Sequence, residues 1–179
     1  MNTITIEDKT FIRYISDSEI DKAVERIATE INEEYKNDIP ILIITLNGAI
    51  MFAAELLKKL TIQCRITCIR VASYDGTQSS TAKNLIGLVE DLTNQRVIVV
   101  DDIVDTGNTY EHIVGMLQEE KVKDVRIATM TFKPEAYKKS LPVHYVGINI
   151  PTKFIVGHGL DYNGLGRNLP DIYQLYTEQ

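Results

Sequence analysis

The sequence predicts an α/β fold: a mainly parallel twisted sheet with helices on both faces. Three observations predict it. Apolar runs of strand length, such as ILIITL at 41–46, lack polar alternation, as strands buried on both faces do. Amphipathic helical segments separate these runs. Polar groups gather where three of the runs end, at Asn47-Gly48, at Asp101-Asp102 through Thr109, and at Lys133. In open α/β sheets ligands bind beyond the carboxyl ends of the strands, so three polar strand ends describe one pocket.

The alternation begins at Asp17. Over residues 17–36, Ile20, Val24, Ile27, Ile31 and Tyr35 recur at helical spacing. Ser16 with Glu19 fits a capping box at the start of that helix. Pro40 separates it from the first apolar strand, and Asn47-Gly48 breaks that strand off. AIMFAAELLKKL at 49–60 follows as a helix with cations near its end. IQCRITCIRVA at 62–72 is a second long strand with partial alternation. SYDGTQSSTAKN at 73–84 is polar and rich in Ser and Thr, the composition of a flexible loop, and its length suits a lid or binding loop. RVIVVDDIV at 96–104 is the third strand. Residues 110–120 form a helix with Tyr110, Ile113, Val114 and Leu117 on one side. VRIATMTF at 125–132 and HYVGINI at 144–150 are the fourth and fifth strands. The tail from Pro151 reads as irregular with short strands.

Several function classes are excluded by composition. With 179 residues, 44% hydrophobic and 25% charged, the chain is expected to form one domain with a real core. No apolar run approaches the roughly 18 residues of a membrane span. The start, MNTITIEDKT, has neither a basic nor an apolar leader region, so a cytoplasmic location is expected, with no membrane partner. The formal charge of −6 comes without the basic stripe of a nucleic-acid binder, so none is expected as a partner. Cys64 and Cys68, four residues apart on one expected strand, would lie about 13 Å apart, beyond the roughly 7 Å a disulfide spans. They read as small buried thiols on one strand face, with no metal-ligand spacing around them.

The acidic strand end carries the chemistry. An apolar strand runs straight into Asp101-Asp102. Adjacent strand residues face different directions, so at least one acid reaches a cleft. Buried carboxylates need a cation or hydrogen bonds, and a sugar diol or magnesium would supply them. In Asp105-Thr106-Gly107-Asn108-Thr109, Gly107 permits backbone angles closed to other residues and the threonines supply hydroxyls. A helix opening directly afterwards, at Tyr110, presents free N–H groups and a dipole that favours an anion. This is chemistry for a phosphate monoester. Neither a Walker loop nor a Rossmann fingerprint is present.

The run VVDDIVDTGNT at 99–109 resembles the phosphoribosyl-pyrophosphate signature of type I phosphoribosyltransferases. With Asp105 inside it, and with IPTKFIVGHGLDYNGLGRNLPDI at 150–172, the chain resembles the hypoxanthine-guanine phosphoribosyltransferases from about Ile41 to Ile172. The resemblance implies purine salvage: magnesium-dependent transfer of 5-phosphoribosyl from phosphoribosyl pyrophosphate to N9 of hypoxanthine or guanine, giving IMP or GMP and pyrophosphate. It implies a single phosphoribosyltransferase domain over 1–179, a mobile loop at about 73–84, and a small purine-binding hood at about 151–179 built with the terminal segments. It also implies a homodimer or homotetramer. Carried over by position, Asp101 and Asp102 hold the ribose hydroxyls and magnesium, and Asp105 takes a proton at purine N7. Thr106, Gly107, Asn108 and Thr109 cradle the 5′-phosphate. Asn47, Gly48 and Arg167 meet pyrophosphate. Lys133 meets the 6-oxo group, Phe154 stacks on the base, and Ile155 offers its backbone to the base edge. Asp161 lies near the base and serves a second magnesium, while Ser73 and Tyr74 belong to the closing loop. His158 lies inside the matched segment without an assigned role.

Two departures stand out. Many relatives have lysine where Asn47 stands, and often glutamate where Asp101 stands. A cis Leu46–Asn47 peptide, as in relatives, is an expectation the residues alone do not decide. A xanthine-preferring transferase stays open, since the base edge near Ile155 and Asp161 decides it. A regulatory nucleotide- or RNA-binding protein on the same fold, or an inactive relative, fits less well with a net negative charge and with Asp105 present.

Overall fold

The computed structural model describes residues 3–71 and 91–177. The expected 73–84 loop, with Ser73 and Tyr74, lies outside them.

Strand β1 (Thr3–Ile6) turns into β2 (Lys9–Ile15). Helix α1 (Asp17–Glu34) follows, closed at its start by the reciprocal Ser16–Glu19 capping box, as the sequence predicts. Ile20, Val24, Ile27, Ile31 and Tyr35 are all fully buried. Strand β3 (Ile41–Thr45), α2 (Ile50–Lys59), β4 (Arg65–Ile69), β5 (Arg96–Val104), α3 (Asn108–Glu119), β6 (Asp124–Phe132) and β7 (Tyr145–Asn149) complete the central layer. The chain ends with β8 (Ile155–Val156) and β9 (Ile172–Leu175).

Five strands form a parallel sheet in the order β4-β3-β5-β6-β7. The unbroken apolar runs explain why it is covered twice. Leu42, Ile44, Ile98 and Val100 pack with α1 and α2, whereas Ile41, Ile43, Val97 and Val99 pack with Tyr110, Ile113, Val114 and Leu117 of α3. Alternate residues of one strand point to opposite faces, so a run apolar at every position needs helices on both. The strand order reverses between β3 and β5. In such sheets a crevice lies beyond the carboxyl ends at this point, bordered here by Asp101-Asp102 and by the Leu46–Gly48 loop, which packs on Asp102.

A second, antiparallel sheet has the order β1-β2-β9-β8. It is made from both termini and has its own small core of Phe11, Val156 and Tyr173. The alternation expected from Asp17 onward leaves out its first hairpin. The two-residue turn at Glu7-Asp8 joins the paired Ile6 and Lys9 without the Asn-Gly or Asp-Gly signal of a tight hairpin.

The expected 62–72 strand is shorter. β3 begins only after Pro40, so residues 62–64 have no strand to pair with, and β4 starts where Arg65 N–H donates to Pro40 O. Cys64 therefore precedes the strand and only Cys68 lies in it. Both are free thiols and partly exposed rather than buried. The α3 helix starts two residues earlier than expected, at Asn108. No helix among the described residues is long and apolar enough to cross a membrane.

Candidate active site

Gly107 precedes α3 with φ of 86°, the left-handed region that glycine enters freely. A Cβ there would also meet the Tyr137 ring at 2.5 Å. Among the described residues no side chain caps α3, in contrast to α1, so its first-turn N–H groups stay open to a ligand. Residues 101 and 103–110 line a cavity of about 150 Å³. Thr106, Asn108 and Thr109 are exposed around it. The earlier helix start places Asn108 and Thr109 in the first turn itself, where the dipole acts most strongly.

Asp101 is buried at the end of β5. Its Oδ1 accepts from Thr45 Oγ1 and from the Asp102 N–H. Burial, then the neighbouring Asp102 charge, push its carboxyl well above the ordinary range. Burial also pushes Asp102 up, while the Arg167 charge opposes this. Neither acid has an ion-pair partner within 4 Å among the described residues. Gly48 packs directly on Asp102: a Cβ on Gly48 would lie 1.8 Å from Asp102 Oδ2. Leu46–Asn47 is a cis peptide bond, and Asn47 is exposed beside it. Gly48→Ala must therefore displace the Asp102 carboxylate. Losing one charged hydrogen bond is worth about 1.5–3 kcal/mol, so anionic-sugar binding should weaken about tenfold or more by calorimetry. Gly115→Ala, which meets open space, should not weaken it.

Lys133 stands at the end of β6, where its N–H donates to Val104 O of β5. Its side chain is 9% exposed and its Nζ lies 2.6 Å from Asp105 Oδ2. The structure thus brings Lys133 together with Asp105, which lines the cavity. Across the crevice, Arg167 Nη2 lies 2.6 Å from Asp161 Oδ1 and its Nη1 donates to Gly159 O. Asp161 Oδ2 accepts from the Gly164 N–H. Phe154 is 44% exposed, with Tyr162 edge-on at 6.0 Å and Phe11 at 6.3 Å. Ile155 is buried in β8, where it pairs with Gln174 of β9.

The family described as "Phosphoribosyl transferase domain" matches residues 16–163. The chain belongs to the phosphoribosyltransferase family. The hypoxanthine-guanine phosphoribosyltransferase of Staphylococcus epidermidis is 36% identical over 92% of this chain and 93% of its own length. The hypoxanthine phosphoribosyltransferase of Buchnera aphidicola is 36% identical over 88% and 92%. A crystal structure of a Bacillus anthracis hypoxanthine-guanine phosphoribosyltransferase superposes with a TM-score of 0.85, at 32% identity over 92% of this chain and 96% of that one.

Residues of this phosphoribosyltransferase that sequence reasoning missed include Lys9 and Phe11 on the first hairpin. Lys9 Nζ stands 5.8 Å from the Phe154 ring centre and 4.3 Å from that of Tyr162. The alternation of KTFIRYI at 9–15 was the available signal. Thr45, which orients Asp101, had as its only signal a lone polar residue ending an apolar strand. The acidic pair suits magnesium, which takes hard oxygen ligands and usually keeps one or two carboxylates beside substrate oxygens. Among the described residues no cluster of three or more metal-ligating side chains exists, so such an ion would need ligand oxygens to complete its shell.

Proposed function

We propose that this phosphoribosyltransferase salvages purines, transferring 5-phosphoribosyl from phosphoribosyl pyrophosphate to N9 of hypoxanthine or guanine, with IMP or GMP and pyrophosphate as products. The observation that carries the purine assignment is the Lys133–Asp105 pair, 2.6 Å apart at the edge of the phosphate cavity. An ammonium donates but cannot accept, so Lys133 favours a 6-oxo over a 6-amino purine. Asp105 beside it accepts the proton at N7 as N9 attacks the sugar. The named relatives support the same substrates.

Thr106, Gly107, Asn108, Thr109 and the open end of α3 hold the 5′-phosphate. Asp101 and Asp102 hold the ribose hydroxyls and, through them, magnesium. Magnesium, when bound, supplies charge neutralisation for the departing pyrophosphate. Arg167, Asn47 and Gly48 receive pyrophosphate, Phe154 stacks on the base, and Ile155 meets its edge. Asp161 serves a second magnesium. The last two charged roles are linked: Arg167 and Asp161 occupy each other in this structure, so Arg167 turning to pyrophosphate frees Asp161 Oδ1. We place the protein in the cytoplasm, as a homodimer or homotetramer.

The test is nucleotide formation from phosphoribosyl pyrophosphate, magnesium and each of hypoxanthine, guanine, xanthine and adenine. Hypoxanthine and guanine should lead. No product with any purine would sink the enzymatic reading, and adenine as the best substrate would sink the role of Lys133. Asn47→Lys is expected to tighten pyrophosphate binding roughly two- to fivefold, since an exposed ion pair is worth about 0.2–1 kcal/mol. Unchanged affinity would show that the 46–48 loop does not face pyrophosphate.

A further inference from the structure

His158 has no role in the reaction described above, yet its side chain is fully buried. Its φ is 48°, between Gly157 at 96° and Gly159 at 97°. Its Nε2–H donates to Glu55 Oε2 across 2.9 Å. Nδ1 is buried without a hydrogen-bond partner among the described residues, so the bond from Nε2 to Glu55 is the side-chain hydrogen bond that holds the ring. A buried imidazole costs free energy unless it is hydrogen-bonded, and an apolar side chain would fill this volume without needing a partner. The bond adds direction to the packing.

That direction connects two halves of the pyrophosphate side. Glu55 lies on α2, the helix that leaves the Leu46–Gly48 loop. His158 begins the turn that includes Gly159. Gly159 N–H donates to Arg167 O, and Gly159 O accepts from Arg167 Nη1 at 2.7 Å. A Cβ on Gly159 would lie 1.8 Å from Gly48 O, so the turn rests on the loop with no room for a side chain. Beneath it, Gly48 rests on Asp102 in the same way. The turn is thus bound to Arg167 through its backbone, to the loop through contact, and to α2 through His158.

We propose that His158, held by Glu55, is a positioning residue for pyrophosphate: it seats the turn on α2 so that Gly159 aims Arg167 and backs Gly48. This rests on the assignment of Arg167 and residues 47–48 to pyrophosphate. Small displacements of the groups that support a site weaken binding by more than the one broken hydrogen bond is worth.

The test measures the affinity for magnesium pyrophosphate by calorimetry, the KM values for both substrates, and Tm. Glu55→Ala and His158→Phe should each weaken pyrophosphate and raise the phosphoribosyl-pyrophosphate KM about tenfold, with the hypoxanthine KM and Tm nearly unchanged. Glu55→Gln, which keeps an acceptor for Nε2–H, should restore most of the affinity. Glu55 is partly exposed, so its variants carry the test even where His158→Phe does not fold. Equal rises in both KM values with a lowered Tm would overturn the proposal in favour of plain structural support. Arg167→Ala separates the layers. Weaker pyrophosphate binding in Arg167→Ala alone, with the Glu55 variants unchanged, would overturn only the positioning role. Unchanged binding in Arg167→Ala would overturn the pyrophosphate assignment beneath it.

Discussion

Asp105→Asn is expected to lower kcat by about two to four orders of magnitude, the usual worth of a positioned general base. Affinity for phosphoribosyl pyrophosphate should hold within about twofold, because the substitution removes no group that binds the phosphate. The two effects separate because of where the parts of Asp105 point. Its backbone belongs to the loop that leads to Gly107 and the open end of α3, and the variant leaves that backbone in place. Lys138 N–H also donates to Thr106 O and ties the loop down. The Asp105 side chain is held by Lys133 Nζ. Asparagine keeps the shape and an oxygen that can accept from Lys133, but it cannot take a proton from N7. Lys133 is buried while Asp105 is 42% exposed, so removing the carboxylate also leaves an ammonium less well compensated. A modest drop in Tm is therefore expected beside the kinetic defect. A parallel fall in kcat and in phosphoribosyl-pyrophosphate affinity would instead make Asp105 a binding residue.

The legible parts of this molecule were those in which adjacent residues share one environment. β5 matches its expected bounds, 96–104, because Val97 to Val100 are all apolar and run straight into the acids at the crevice. The buried stripes of α1 and α3 follow their predicted residues because a helix repeats its face every few positions. The cradle was legible for a similar reason: strand, acids, glycine and helix start are consecutive in the chain. What escaped was assembled from distant residues. Thr45 meets Asp101 across 56 positions, and His158 meets Glu55 across 103. The β1-β2 hairpin pairs with β9 at the other end of the chain, so its inner face acquires a partner only in three dimensions. Lys9 and Phe11 could not be tied to Phe154 without that pairing. The Lys133–Asp105 and Arg167–Asp161 pairs lie between. Resemblance named all four residues, but their mutual contact belongs to the fold.

Asp101→Asn should reduce substrate-induced stabilisation and at the same time raise the Tm of the ligand-free protein. Asp101 is 7% exposed, has no ion-pair partner among the described residues, and stands beside a second carboxylate. Burial and that neighbour hold its carboxyl well above the ordinary range. The folded protein therefore binds this proton more tightly than the unfolded chain, whose value is about 3.9. Stability from this group is greatest below that value. It falls as pH rises from there toward the folded value, so the ligand-free fold is less stable at neutral pH than in acid. Asparagine has no charge to desolvate, and its oxygen still accepts from Thr45 Oγ1 and from the Asp102 N–H. At pH 7 the variant should melt higher, and a gain on the order of 1 kcal/mol corresponds to about 2–4 °C in a chain of this size. The gain should shrink as pH is lowered toward the unfolded value, because the wild-type fold regains stability there. In the proposed assignment the same carboxylate binds the sugar and its cation, so the variant should lose about ten- to a hundredfold in phosphoribosyl-pyrophosphate affinity, the worth of a charged hydrogen bond. A ligand-free Tm that falls at pH 7, or a difference that grows on acidification, would contradict the sign of this argument. A variant that still binds phosphoribosyl pyrophosphate normally would place the sugar elsewhere than on the β5 acids.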